Sequence, residues 1–235
     1  MYMKISRDTL KFIALVTMTI DHIGYLLFPD MILLRAIGRL AFPLYAYFVA
    51  EGFRYTRDRR AYLTRLLVSA VLTQVLFNTV GLDFVNVLFT FAISTCVLWI
   101  AEKGGLIAFL GVYIGVLVSI AISCDYSFYG VLMVVLFYLE GRSFIKMLAG
   151  CFLLTTVYLL ATLSFDINAF IQAIQYFELN HLFFIQYLCI LAVPLLALYD
   201  HKKSIYSSLM VKRIVQYSFY LYYPLHLVIL KLIGG

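Results

Sequence analysis

Long apolar runs separated by short polar breaks fill this chain from end to end. A stretch such as 106–122 shows neither the two-residue alternation of a barrel strand nor the polar stripe of a surface helix. A helix needs about 17–25 apolar residues to cross hydrocarbon. Lipid offers the backbone no hydrogen bonds, so only helices and closed barrels can span it. The pattern predicts about nine transmembrane helices, at 10–28, 31–53, 62–80, 84–101, 105–122, 127–140, 144–163, 181–199 and 214–233. The segment 164–180 is too polar to span; Phe170, Ile174 and Phe177 recur there at helical spacing and predict a short interfacial helix. The expected fold class is all-α, a polytopic membrane helix bundle in one integral membrane domain, 1–235. Gly111 and Gly115 form a small-xxx-small pair that predicts a helix-packing face.

Composition agrees. Of 235 residues, 64% are hydrophobic and 13% charged, against about 45–50% and about 25% in a soluble domain. The net charge of +6 would invite a nucleic-acid reading, but topology explains it better. With the N-terminus cytoplasmic, 15 of the 18 Lys and Arg fall on the inner side, and the outer loops 81–83, 123–126 and 164–180 hold none. That is a positive-inside pattern. It supports an odd helix number and an outer C-terminus. Asp21-His22 interrupts the first apolar stretch and no small-residue cleavage site follows, so the first helix is expected to stay in the mature protein. The four cysteines lack metal-ligand spacing; no disulfide framework and no metal site are expected, and only Cys124 reads as loop-exposed.

Three basic residues escape the topology pattern. Lys231 ends the last helix and can snorkel to the interface. Arg35 and Arg39 lie four residues apart, on one face of the second helix. Asp21 and His22 lie inside the first helix, and His226 inside the last. Charges in the bilayer cost at least about 2.5–3.5 kcal/mol each and usually mark function. At about 1.5 Å per residue, His22 lies roughly 9 Å, Arg35 roughly 6 Å, Arg39 roughly 12 Å and His226 roughly 10 Å from the outer helix ends. Only Pro29-Asp30 joins the first two helices, so they are neighbours; whether the last helix joins them is not set by spacing. The plainer alternative is an ion pair of Asp21 with Arg35 or Arg39 that locks two helices. Glu51 can pair with Arg54 or Arg65, and Gln74, Asn78 and Asn86 either line a polar cavity or satisfy helix ends.

Histidine is the usual general base near neutral pH. A carboxylate can orient it, and arginines can hold an oxyanion or an anionic group. The set suits acyl transfer and equally a small proton-coupled transporter or flippase; a helical scaffold leaves the buried charges explained only as locks. Two related halves and helices broken near the midplane would mark a transporter, and no such symmetry is visible in the sequence.

The stretch 10–65 resembles the TraX family of membrane proteins. The likeness rests on LKFIALVTMTIDHIGYLLFP and LLRAIGRLAFPLYAYFVAEGFRYTRDRRAYLTRLL, with YSFYLYYPLHLVIL as the closing helix. The resemblance implies a bacterial cytoplasmic-membrane, multi-pass acyltransferase of the acetyltransferase type. It would move an acetyl group from cytoplasmic acetyl-CoA to an amine or hydroxyl on the far side, the N-terminus of a pilin or a surface glycan. It implies His22 as the catalytic centre, with Asp21, Arg35, Arg39 and Glu51 as companions and His226 in the closing motif. The donor's phosphates are expected at Arg54, Arg57 and Arg65, beside Glu51, residues that topology also explains. Expected partners are membrane lipid, acetyl-CoA and the extracytoplasmic acceptor.

Overall fold

The computed structural model describes residues 4–141, 143–176, 183–200 and 208–234. They form an all-α bundle of α1 (Arg7–Leu26), α2 (Ile32–Gly38), α3 (Ala41–Tyr55), α4 (Arg59–Thr79), α5 (Val87–Ala101) and α6 (Gly105–Ala121). There follow α7 (Ser127–Glu140), α8 (Phe144–Thr162), α9 (Ile167–Gln175), a 3-10 segment (Ile185–Leu191) running into α10 (Ala192–Ala197), and α11 (Leu209–Gly234). A two-residue parallel pair, β1 (Ile5–Ser6) with β2 (Tyr199–Asp200), ties the start of α1 to the chain after α10.

The helix starts are made by polar caps, as orphan backbone N–H groups require. Ser6 accepts from the Thr9 N–H, Asp58 from Ala61, Asn86 from Leu88, Ser143 from Lys146 and Asp166 from Asn168 and Ala169. Asn86 also donates to the Ala70 carbonyl and to Gln74, so the cap of α5 is tied to the side of α4.

Three helical runs are long and apolar enough to cross a membrane, Ile32–Tyr55, Arg59–Thr79 and Phe144–Thr162; Val87–Ala101, Gly105–Ala121, Ser127–Glu140 and Ile185–Ala197 are shorter apolar helices. By length and composition these helices suit a membrane protein. The helix expected at 31–53 is divided. Pro43 explains the division: it has no N–H to offer the Arg39 carbonyl four residues earlier, and its ring crowds that carbonyl. The backbone turns there through tighter bonds, Arg39 N–H to the Ala36 carbonyl and Leu40 N–H to Ile37, both 3.3 Å. The segment expected at 181–199 is a 3-10 segment followed by α10, and α9 is the helix expected within 164–180; Phe177 lies outside the described residues.

The core joins Leu44, Phe53, Phe77, Tyr129, Met133 and Phe137. On α6 Gly111 and Gly115 are buried while Leu106, Phe109, Tyr113 and Leu117 are exposed. A Cβ on Gly111 would come 2.5 Å from Ile100, and one on Gly115 would collide with Val97, so the pair sets how closely α6 meets α5. Cys124, expected in an exposed loop, is buried and donates to the Ser119 carbonyl.

Candidate functional site

α1 supplies the first side chains. Asp21 and His22 are adjacent on a helix and so point about 100° apart. Asp21 faces α2 and is buried, its carboxylate 2.8 Å from Arg35 Nη1 and 2.9 Å from Arg39 Nη2. Gly38 makes the approach possible, since a Cβ there would overlap the Asp21 side chain. Arg39 has no idle arm: Nε donates to the Arg35 carbonyl at 3.3 Å and Nη1 to Gln186 Oε1 at 2.9 Å. Arg35 spends Nη1 on Asp21, backbone and carboxylate, and lies 5.1 Å from the Tyr25 ring; its other N–H groups make no hydrogen bond among the described residues.

His22 faces α11. Its Nδ1 lies 2.7 Å from Nε2 of His226, whose own Nδ1 lies 2.8 Å from the Tyr222 carbonyl oxygen. A carbonyl only accepts, so His226 Nδ1 donates to it. In neutral His226, Nε2 is then the acceptor, and His22 Nδ1 must donate to it. His22 Nε2 is left with a free lone pair. One turn away on the same two helices, Thr19 Oγ1 meets the Tyr222 hydroxyl at 2.7 Å, which fixes the register of α1 against α11.

Asp21, His22, Arg35 and Arg39 open on a cavity of about 830 Å³. One end is lined by Asp21, His22, Arg35, Arg39, Asp125, Tyr126 and Tyr223, the other by Arg7, Lys11, Tyr55, Tyr62, Arg65 and Tyr220. Along α1, Arg7 to His22 is roughly 22 Å at about 1.5 Å per residue. Asp125, in the loop between α6 and α7, is held by its backbone: its N–H donates to the Val85 carbonyl at 2.8 Å and its carbonyl accepts from Thr90 Oγ1 at 2.5 Å. Burial pushes its carboxyl up to about 6, against the pull of the Tyr126 N–H and of Arg39.

The structure thus gathers His22, His226, Asp21, Arg35 and Arg39 in one place. His226, not Asp21, is the hydrogen-bond partner of His22. Arg65 lines the far end of the cavity, but Arg54 and Arg57 do not: Arg54 bonds the Tyr138 carbonyl, and Arg57 is exposed. Glu51 is buried, accepts from Tyr199 at 3.0 Å and lies 3.7 Å from Arg7 Nε. Sequence reasoning passed over Asp125, Gln186, Arg7 and Lys11. Gln186 carried a signal, a lone amide in an apolar run; Asp125 read as an ordinary loop acid, and Arg7 and Lys11 were absorbed by the positive-inside count.

The profile of the family described as TraX protein matches residues 6–234. The chain belongs to the TraX family. A probable fimbrial assembly protein FimC, serogroup H1, of Dichelobacter nodosus is 29% identical over 241 aligned residues, 94% of this chain and 92% of that protein. An uncharacterized protein of Rickettsia prowazekii is 32% identical over 95 residues, 40% of this chain and 36% of its own length. The protein TraX of Escherichia coli (strain K12) is 34% identical over 103 residues, 42% of each chain. No solved structure matches. This TraX-family chain carries a hydrogen-bonded histidine pair, an arginine-carboxylate cluster and a cavity that reaches from His22 to Arg7, Lys11 and Arg65.

Proposed function

We propose that the protein is a membrane-bound acetyltransferase that takes acetyl groups from cytoplasmic acetyl-CoA and passes them to an amine or hydroxyl at the outer side of the membrane. The observation that supports this most is the proton arrangement of the His22–His226 pair, which leaves His22 Nε2 as a base on a cavity wall. In this reading about nine crossings place the N-terminus inside, in the bacterial cytoplasmic membrane, and the His22 end of the cavity outward. His22 Nε2 takes the proton from the acceptor's N–H or O–H as its lone pair attacks the thioester carbonyl. The positive charge on His22 is shared with His226 through the 2.7 Å contact. The oxyanion forms beside the uncommitted N–H groups of Arg35, held in place by Asp21. Collapse expels the coenzyme A thiolate, which recovers the proton from His22, and the acetyl group stays on the acceptor.

A relative named as a fimbrial assembly protein makes a pilus or fimbrial subunit the first acceptor to try, with a surface glycan next. The test is turnover and thermal protection of purified protein with labelled acetyl-CoA, wild type against His22→Ala. Expected are protection of both proteins and turnover by wild type alone. If neither folded protein binds or consumes acetyl-CoA, the reading fails, and uptake of substrate into proteoliposomes without acetyl-CoA would point to a transporter.

A further inference from the structure

At the end of the cavity away from His22, α1 and α4 bring together two arginines with the same unmet need. Among the described residues, the buried side-chain nitrogen and oxygen atoms lacking a hydrogen-bond partner are Nε of Arg7 and Nε of Arg65. Both residues line this end of the cavity. One turn along α1 from Arg7, the Lys11 ammonium lies 5.8 Å from the Phe48 ring and 5.7 Å from the Phe219 ring, and it forms no ion pair among the described residues. The nearby acids do not complete the site. Glu51 reaches Arg7 only at 3.7 Å, and Asp8 lines the same end, so three cations face two carboxylates.

Buried guanidinium N–H groups without acceptors are costly. A group with several acceptor oxygens and more than one negative charge would satisfy both arginines and the lysine together. Phosphate fits that description, and the guanidinium fork matches it in shape. We infer that Arg7, Lys11 and Arg65 form the phosphate-binding mouth of the cavity and hold the nucleotide end of the acyl-CoA donor, so that its acyl arm runs along α1 to His22. This rests on the acetyltransferase reading for the donor's identity. It moves the donor's phosphates from Arg54 and Arg57 to α1 and α4. A lipid phosphate shares the chemistry, but the two orphan N–H groups are buried on a cavity continuous with His22, which favours a soluble donor threaded inward over a headgroup resting outside.

The test uses the full-length protein in phosphatidylcholine nanodiscs, as wild type, Arg7→Gln, Arg65→Gln and, as control, the exposed Arg60→Gln. Adenosine 3′,5′-bisphosphate is the probe for binding, and acetyl-CoA for turnover. Losing a charge-assisted hydrogen bond should weaken binding about tenfold or more. Expected, then, is a rise of that size in the KM for acetyl-CoA and in the inhibition constant of the bisphosphate for Arg7→Gln and Arg65→Gln, with kcat at saturation nearly kept and Arg60→Gln like wild type. Unchanged KM and inhibition constants in folded variants overturn the assignment while leaving the transferase reading intact. Protection of wild type by the bisphosphate, lost in both variants, upholds the mouth even if acetyl-CoA is never turned over. If the bisphosphate fails to protect wild type while phosphatidylglycerol co-purifies with wild type and not with the variants, the mouth is a lipid site and the inference falls.

Discussion

A neutral imidazole has one donor and one acceptor, so a carbonyl at the end of a two-histidine chain assigns every proton in it. Tyr222 does this for His226, and His226 for His22. In the proposed transfer His226 is then a positioning residue, and its loss should act on rate rather than on donor binding. His226→Ala is expected to lower kcat by about 10²-fold or more with little change in the KM for acetyl-CoA. His226→Gln, whose amide oxygen can accept from His22 Nδ1, should recover part of the loss; a parallel fall of kcat and stability in both variants would instead mark a packing role. Asp125 yields a second residue-level expectation. Its carboxyl is raised to about 6 from an ordinary 3.8, so between those values the native state holds a proton that the unfolded state has lost. Native stability should then fall as pH rises from about 4 to about 6 and level off above, by up to about 3 kcal/mol. Asp125→Asn should remove that slope and be at least as stable as wild type at pH 7, measured by thermal unfolding in nanodiscs. The sequence exposed the charged members of the site, because a charge in an apolar run is visible without a structure. The pairing of Asp21 with Arg35 and Arg39 was open to sequence reasoning, since all three lie on two neighbouring helices. The His22–His226 pair was not, because nothing in the spacing sets α11 beside α1; and Asp21, next to His22 on one helix, turns to α2 rather than orienting the imidazole.

The α1–α2 contact depends on a missing side chain. Gly38 lies where the Asp21 carboxylate must pass, and any Cβ there would overlap it. Because Asp21 holds both Arg35 and Arg39, a change at Gly38 displaces three charges at once. Gly38→Ala is expected to destabilise by about 1–3 kcal/mol, the usual cost of overpacking, and to cut turnover more than an ordinary packing mutation of similar cost elsewhere. The comparison is Gly111→Ala, which meets Ile100 on the far side of the bundle; equal losses of activity at equal losses of stability would sink the claim. Pro43 was visible in the sequence inside a predicted helix, and its rule gives the break at residue 39. The length-based reading ran through it because apolar length alone does not register a lost N–H. The predicted helix 181–199 carried the same flag: Pro194 can offer no N–H to the Ile190 carbonyl, and there the 3-10 segment Ile185–Leu191 gives way to α10.

At the scale of the whole molecule, the cavity gives the bundle a direction: basic and tyrosine-rich at one end, histidine and paired charge at the other. That the chain is a bundle of apolar helices could be read from hydropathy, since a backbone in lipid must satisfy its own hydrogen bonds. The cavity could not, because residues of α1, α3, α4, α5 and α11 line it together, and that depends on side chains distant in sequence. Its direction across the membrane rests on the basic residues around Arg57, and this can be measured. Arg57 and, on the opposite side, Asp30 and Asp83 are exposed and lie between helices. In intact cells a membrane-impermeant thiol reagent should label Asp30→Cys and Asp83→Cys, and should reach Arg57→Cys only after the membrane is opened. Of the native cysteines, Cys124, Cys151 and Cys189 are buried and Cys96 is half-buried, so unsubstituted protein labelled in parallel sets the background. The reverse pattern would turn the basic mouth outward, where no acetyl-CoA is made, and the transfer direction argued from His22 would have to be abandoned. Labelling of Arg57→Cys and Asp83→Cys from the same side would mean that α4 does not cross, although it is long and apolar enough to do so.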